Sequence, residues 1–127
     1  MTRIRVLLAD DHAPMITRVR GQLGEEFDIV GTVHNGQEAI NAVFRFDPDV
    51  LVIDISMPVM DGFQAASRIR DAGCKTKVIF FTVHEGADFV SAAFSSGALG
   101  YVIKSRLSTD LVPAIRDALP GRSYVSP

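Results

Sequence analysis

Residues 50–62 read VLVIDISMPVMDG, and this stretch decides the fold. Val50, Leu51, Val52 and Ile53 form a run with no polar residue, the pattern of a strand buried on both faces. The run ends on Asp54, and a carboxylate closing so apolar a strand is rarely without a purpose. Asp61-Gly62 then punctuates the chain. Phe63, Ala66 and Ile69 follow in three-residue steps, which marks the inward stripe of a helix. Together these residues make one strand–helix unit with a polar group at the strand's carboxyl end.

The same unit recurs on either side. Four further apolar runs lie at residues 4–9, 27–33, 78–81 and 99–103. Between them, helical spacing groups Ile16, Val19 and Leu23, then Ile40, Val43 and Phe44, then Val90, Ala93 and Phe94. A last stripe joins Leu111, Ile115 and Leu119, widened by Val112 and Ala118. Asn35-Gly36 and Ala72-Gly73 mark joints. Ser108 and Asp110 suit the start of the last helix, whereas Pro113 lacks a backbone donor and is expected to delay or kink it. Strands alternating with helices imply a parallel sheet covered on both faces. Five such units in 127 residues predict an α/β, flavodoxin-like doubly wound (βα)5 fold with a five-stranded parallel sheet of order 2-1-3-4-5. Residues 120–123, PGRS, read as the exit from the domain.

Composition narrows the class. A hydrophobic content of 47% supports one packed core, and a net charge of −2 argues against nucleic-acid binding by this segment. The single cysteine, Cys74, excludes an internal disulfide and a multi-cysteine zinc site. No apolar run is long enough to span a bilayer, and the start, MTRIRVLLADDH, is charged where a signal peptide is apolar. The reading is therefore of a cytoplasmic domain without membrane contact.

In a doubly wound sheet the chemistry sits beyond the carboxyl ends of the strands, where the strand order reverses. The first strand ends in Asp10-Asp11 and the third in Asp54, so three carboxylates converge there. Two unit charges about 4 Å apart repel by about 4 kcal/mol at an effective dielectric near 20. Such a cluster needs a cation or a captured proton. An all-oxygen site with room for water suits Mg²⁺ better than zinc or copper. The fourth strand delivers the hydroxyl of Thr82, and the fifth delivers Lys104, a mobile point charge. Carboxylates, a divalent metal, a hydroxyl and an ammonium make a phosphoryl-transfer site. Taken singly, each has a plainer reading: Asp10-Asp11 as a helix cap, Thr82 as a strand residue, Lys104 as a solvated lysine. Their coincidence on one rim is the signal. Asp47 and Asp49 precede the third strand, at the opposite rim, and read as solvated.

These residues carry a resemblance that covers essentially the whole chain. LLADDH, Asp54 in VIDISMPVMDG, Thr82 in VIFFTVH and Lys104 in GYVIKS together resemble the receiver domain of a bacterial two-component response regulator. ADDH, the short spacing from Asp54 to Thr82 and the closing GRSYVSP are similar to the NarL/FixJ branch, whose members carry a LuxR-type helix-turn-helix output domain. The resemblance implies that Asp54 accepts a phosphoryl group from a sensor histidine kinase. Asp10, Asp11, Asp54 and the backbone carbonyl of Ser56 would hold Mg²⁺. Lys104 would neutralise the phosphoryl oxygens, Thr82 would turn toward them, and Tyr101 would rotate inward. The surface of the fourth helix, fifth strand and fifth helix would then change and promote a homodimer. The chain would be a phosphoacceptor signalling domain that promotes its own phosphorylation and dephosphorylation, not an enzyme in its own right. Residues 1–120 would form the receiver. Residues 121–127 would begin a linker to a DNA-binding transcriptional output domain, with a stand-alone single-domain receiver as the alternative.

Departures from the family pattern are Val83, bulkier than the small residue usual after the threonine, and Ser105, where many relatives have proline. Ser56 and His84 stand two residues beyond Asp54 and Thr82, at positions expected to tune dephosphorylation. Rival readings fit less well, among them a receiver that signals by binding without phosphorylation, which the full acceptor set disfavours. A haloacid-dehalogenase-like phosphatase needs a second aspartate where Ser56 stands. A flavin carrier needs a donor-rich phosphate loop, and the loop here, DDHAP, is acidic. His12, His34 and His84 have no paired spacing for a transition metal.

Overall fold

The computed structural model describes residues 3–127, so the first two residues of the expected receiver span lie outside it. The elements follow the expected alternation: β1 (Ile4–Ala9), α1 (Ala13–Gln22), β2 (Phe27–Val33), α2 (Gly36–Phe46), β3 (Val50–Ile53), α3 (Gly62–Asp71), β4 (Lys77–Thr82), α4 (Ala87–Ser95), β5 (Gly100–Ile103), a 3₁₀ turn (Lys104–Arg106), α5 (Leu107–Ala118) and β6 (Tyr124–Val125). All strand pairs are parallel, in the order β2-β1-β3-β4-β5-β6. The 2-1-3-4-5 order holds, and a sixth strand extends it.

Period-two alternation splits the strands between two cores. Leu7, Leu51, Ile53, Phe80 and Tyr101 face α2, α3 and α4. Val6, Val50, Val52, Ile79 and Val102 face α1 and α5. Burying each large apolar side chain contributes about 1.5–3 kcal/mol, so both layers are pinned to the sheet.

Local chemistry sets the strand ends. Asn35 caps α2 by accepting from Glu38 N at 2.8 Å, and Asp61 forms a capping box with Gln64 at the start of α3. Asp61 is thus a structural carboxylate, separate from the acidic cluster. Pro14 occupies the first turn of α1, where a missing N–H costs nothing.

Four expectations need correction. Phe44 does not join Ile40 and Val43 inside but is 57% exposed, because at one residue beyond Val43 it has turned 100° off the inward stripe. Ser108 is not a cap, since α5 grows out of the 3₁₀ turn and already begins at Leu107. Pro113 neither delays nor ends α5. It sits in the interior of the helix on an exposed face, where the Thr109 carbonyl it leaves unbonded can meet water. The tail does not simply leave the domain: Tyr124 and Val125 pair with Gly100 and Tyr101. An open β5 edge is a row of unpaired backbone groups, which the returning tail satisfies.

Candidate functional site

The carboxyl ends of β1, β3, β4 and β5 form one rim, as the topology requires. Asp54 follows β3 directly and its N–H donates to Ala9 O at 3.0 Å, which ties it to the end of β1. Gly62 closes the loop behind it. Its N–H donates to Ile55 O at 2.8 Å, and a Cβ there would lie 2.2 Å from Asp54 O. Only glycine lets α3 start this close to the aspartate's backbone. Gly36 plays the matching part on the neighbouring loop, donating to Met60 O at 3.0 Å. Between these anchors Val59 has a φ of 69° and is 82% exposed, an uncommon conformation for a β-branched residue.

Lys104 is the hub of the site. Its ammonium lies 2.7 Å from Asp10 Oδ2 and 2.9 Å from Asp54 Oδ2, and all three side chains are at most 10% exposed. It also lies 5.8 Å from the centre of the Phe81 ring. Burial alone would disfavour the charged ammonium, but hydrogen bonds and charge from Asp10 and Asp54 win, and its pKa is raised. The other oxygens are engaged locally: Asp54 Oδ1 accepts from Ile55 N at 2.7 Å, and Asp10 Oδ1 from His12 N at 2.9 Å. Asp10-Asp11 therefore is not the side-chain cap of α1, which has none.

The donor set fits a hard cation. Asp10, Asp11 and Asp54 each offer a carboxylate oxygen within 4.8 Å of the others. Asp10 Oδ2 is buried, and among the described residues the Lys104 ammonium at 2.7 Å is its one close polar partner. A buried oxygen with a spare lone pair is costly unless something occupies it. Three carboxylates against one ammonium also leave two negative charges to neutralise. All-oxygen donors opening through the exposed Asp11 suit Mg²⁺.

The other expected residues ring the mouth. Thr82 is fully buried, and its Oγ1 accepts from His84 N at 3.2 Å. Tyr101 is already inward: it is 1% exposed and its hydroxyl donates to His84 O at 2.7 Å. Burial and the nearby Asp54 charge push the Tyr101 phenol up to about 12. His84 in turn lies 2.9 Å from Ser56 Oγ through Nε2 and stacks on Phe89 with ring centres 4.5 Å apart. This contact bridges the loops after β3 and β4, across the entrance. Val83 is 65% exposed. The Lys104–Ser105 peptide is trans.

A second polar cluster, with no signature in the sequence, lies around Asp110. Asp110 is 2% exposed and accepts from Arg106 Nε at 2.8 Å, Thr109 Oγ1 at 2.8 Å and Ser126 Oγ at 2.6 Å. Burial alone would raise its pKa, yet the donors outweigh burial and hold the carboxyl at about 2. An aspartate in a first helical turn reads from sequence as a dipole charge, and its link to Ser126 is not visible there.

Known proteins share this fold. The family model described as the response regulator receiver domain matches residues 6–116. The uncharacterized transcriptional regulatory protein YvfU of Bacillus subtilis is 33% identical over 126 residues, covering 98% of this chain and 63% of its own length. The oxygen regulatory protein NreC of Staphylococcus epidermidis is 33% identical over 125 residues, with 96% and 57% covered. This chain thus spans about 57 to 63% of the length of those relatives. Among solved structures, the signal receiver domain of the putative response regulator NarL from Mycobacterium tuberculosis superposes with a TM-score of 0.92 at 31% identity, covering 96% of this chain and 100% of that one. The isolated REC domain of RcsB from Salmonella enterica serovar Typhimurium, in the presence of phosphomimetic BeF3−, gives 0.88 at 26% identity, with 98% and 94% covered.

Proposed function

The chain belongs to the response regulator receiver family, and from that membership we propose that Asp54 is its phosphoacceptor and a sensor histidine kinase its donor. The observation that carries this reading is the buried Lys104 bridging Asp10 and Asp54 beside the third, exposed carboxylate of Asp11. In the transfer, an Asp54 carboxylate oxygen forms a bond to phosphorus while the bond from phosphorus to the donor imidazole nitrogen breaks. The imidazole leaves with the electron pair and takes up a proton. Asp54 becomes an acyl phosphate, which water later hydrolyses.

Each residue has a part that follows from its place. Asp10, Asp11, Asp54 and the carbonyl of Ser56 would hold Mg²⁺, whose charge offsets that of the transferred group. Lys104 stabilises charge on the phosphoryl oxygens from a preorganised, water-poor position. Thr82 keeps its hydroxyl proton free to donate, since its Oγ1 serves His84 N as an acceptor. Tyr101 reads the change through His84, whose carbonyl it already holds. The output is a shift between two arrangements of the α4, β5 and α5 surface, which favours a homodimer.

YvfU is named as a transcriptional regulatory protein, and both it and NreC are longer than this chain. The reading extended to the whole protein is therefore a cytoplasmic transcriptional regulator, with DNA contacted by a further domain. A receiver acting alone through protein binding is the second form of it. Among the described residues no helix is long and apolar enough to cross a membrane. Incubation with acetyl phosphate and Mg²⁺ tests the reading: one phosphoryl adduct should appear and map to Asp54.

A further inference from the structure

The tail that follows α5 pairs in parallel with the edge of β5, Tyr124 with Gly100 and Val125 with Tyr101, and there Tyr124 N donates to Leu99 O and Ser126 N to Tyr101 O, both at 2.9 Å. So short a ladder does little more than offset the entropy lost by ordering three residues. Tyr124 packs half-buried against the α1 and α5 layer, and Ser126 adds two side-chain bonds. Its Oγ accepts from Ile103 N at 3.1 Å and donates to the buried Asp110 at 2.6 Å. Ile103 immediately precedes Lys104, whose ammonium spans Asp10 and Asp54. One hydroxyl therefore joins the tail, the carboxylate of α5 and the end of the strand that carries the site's cation.

Resting on the reading of Asp54 as phosphoacceptor, we propose that residues 124–126 form a strap whose seating on β5 is coupled through Ser126 to the state of the Asp54 site. The strap is seated while Lys104 spans the two carboxylates and is released when Asp54 carries a phosphoryl group. A phosphoryl group adds negative charge and carries it outward from the carboxylate. The ammonium follows that charge and draws the Ile103–Lys104 segment with it. Of the two bonds Ser126 makes through Oγ, the one to Ile103 is near the long end of the ordinary range, and the one to Asp110 is short and charge-assisted. The Ile103 bond breaks first, which loosens the hold of β5 on the strap. Release exposes the carbonyls of Leu99 and Tyr101 at the sheet edge and frees the chain that leaves the domain. By linkage, an unseated strap favours the loaded site by the same factor.

Hydrogen exchange of the Tyr124 and Ser126 amides tests the strap on the whole 127-residue chain. Exchange is compared with and without beryllofluoride and Mg²⁺, and in Lys104→Met, which removes the tie with no phosphoryl analogue present. Both are expected to exchange about fivefold faster or more, the lower bound of ordinary coupling between sites. Ser126→Ala should bind beryllofluoride more tightly by a matching factor, while Ser126→Thr, which keeps the hydroxyl, restores the original value. Unchanged exchange in the loaded chain, or in folded Lys104→Met, overturns the strap. Should the chain bind no beryllofluoride, the phosphoacceptor reading fails, and Lys104→Met alone decides the strap. Should Lys104→Met fail to fold, equal beryllofluoride affinity of Ser126→Ala and the original chain overturns it.

Discussion

Lys104 Nζ lies 2.9 Å from Asp54 Oδ2 in a pocket where both side chains are at most 10% exposed. The same ammonium serves Asp10, so one cation faces a group of three carboxylates. The site is short of positive charge, and Asp11 is its exposed member. Asp11→Asn should weaken Mg²⁺ binding by about ten- to a hundredfold, the effect usual for disturbing an ion's immediate surroundings. Its melting temperature should not fall, because an exposed carboxylate facing like charges contributes nothing to the fold. Titration calorimetry with Mg²⁺ and a thermal melt check both halves, and unchanged Mg²⁺ affinity would remove Asp11 from the site.

Asp110 links stability to acid pH. Its folded pKa of about 2 lies below the ordinary value of 3.8. A depressed carboxyl stabilises the fold above the unfolded pKa, and that contribution is lost as pH falls through the folded one. The shift corresponds to on the order of 2 kcal/mol at neutral pH. Urea unfolding at pH 7 and pH 3 should show a smaller loss on acidification for Asp110→Asn than for the original chain. An equal loss would mean that Asp110 does not titrate with folding.

Gly62→Ala should destabilise the protein by about 1–3 kcal/mol, the usual range for forcing atoms into a filled space. The added Cβ meets Asp54 O at 2.2 Å, and backbone cannot swing aside as a flexible side chain can. Because the displaced atom belongs to Asp54, labelling by acetyl phosphate should slow as well. A urea midpoint and labelling rate equal to those of the original chain would contradict this packing.

Val59→Gly should do the reverse. Val59 holds a left-handed φ of 69° with its side chain 82% exposed, so the strain is not repaid by burial. Relief of about 1–2 kcal/mol, less glycine's extra unfolded-state entropy, predicts a gain of roughly 0.5–1 kcal/mol. A lower urea midpoint for the variant would show that the side chain supports the loop after all.

Much of this was legible in the chain. Residues 4–9, 27–33 and 50–53 coincide with β1, β2 and β3; β3, buried on both faces, leaves an uninterrupted apolar run, while β1 and β2 stay rich in apolar residues around Arg5 and Asp28. Topology alone puts Asp10, Asp54 and Lys104 on one rim. What the sequence does not show depends on contacts between distant segments. Tyr124 and Val125 are too few to show a period, and their pairing with β5 exists only once α5 has brought the chain back. Asp110 and Ser126 are sixteen residues apart, and no spacing rule links a helix's first turn to a tail. Ser56 and His84 were singled out separately, but their contact across the mouth needed the loops in place. Tyr101 was expected to move inward, and its hydroxyl already holds His84 O in this state.

On the proposed reading, Asp54 is the residue of this domain that accepts the phosphoryl group. Intact-mass measurement after incubation with acetyl phosphate and Mg²⁺, run on the original chain and on Asp54→Asn, tests it most directly. The account predicts one added phosphoryl mass on the original chain, none when Mg²⁺ is chelated, and none on Asp54→Asn. An adduct of equal yield on Asp54→Asn would contradict it.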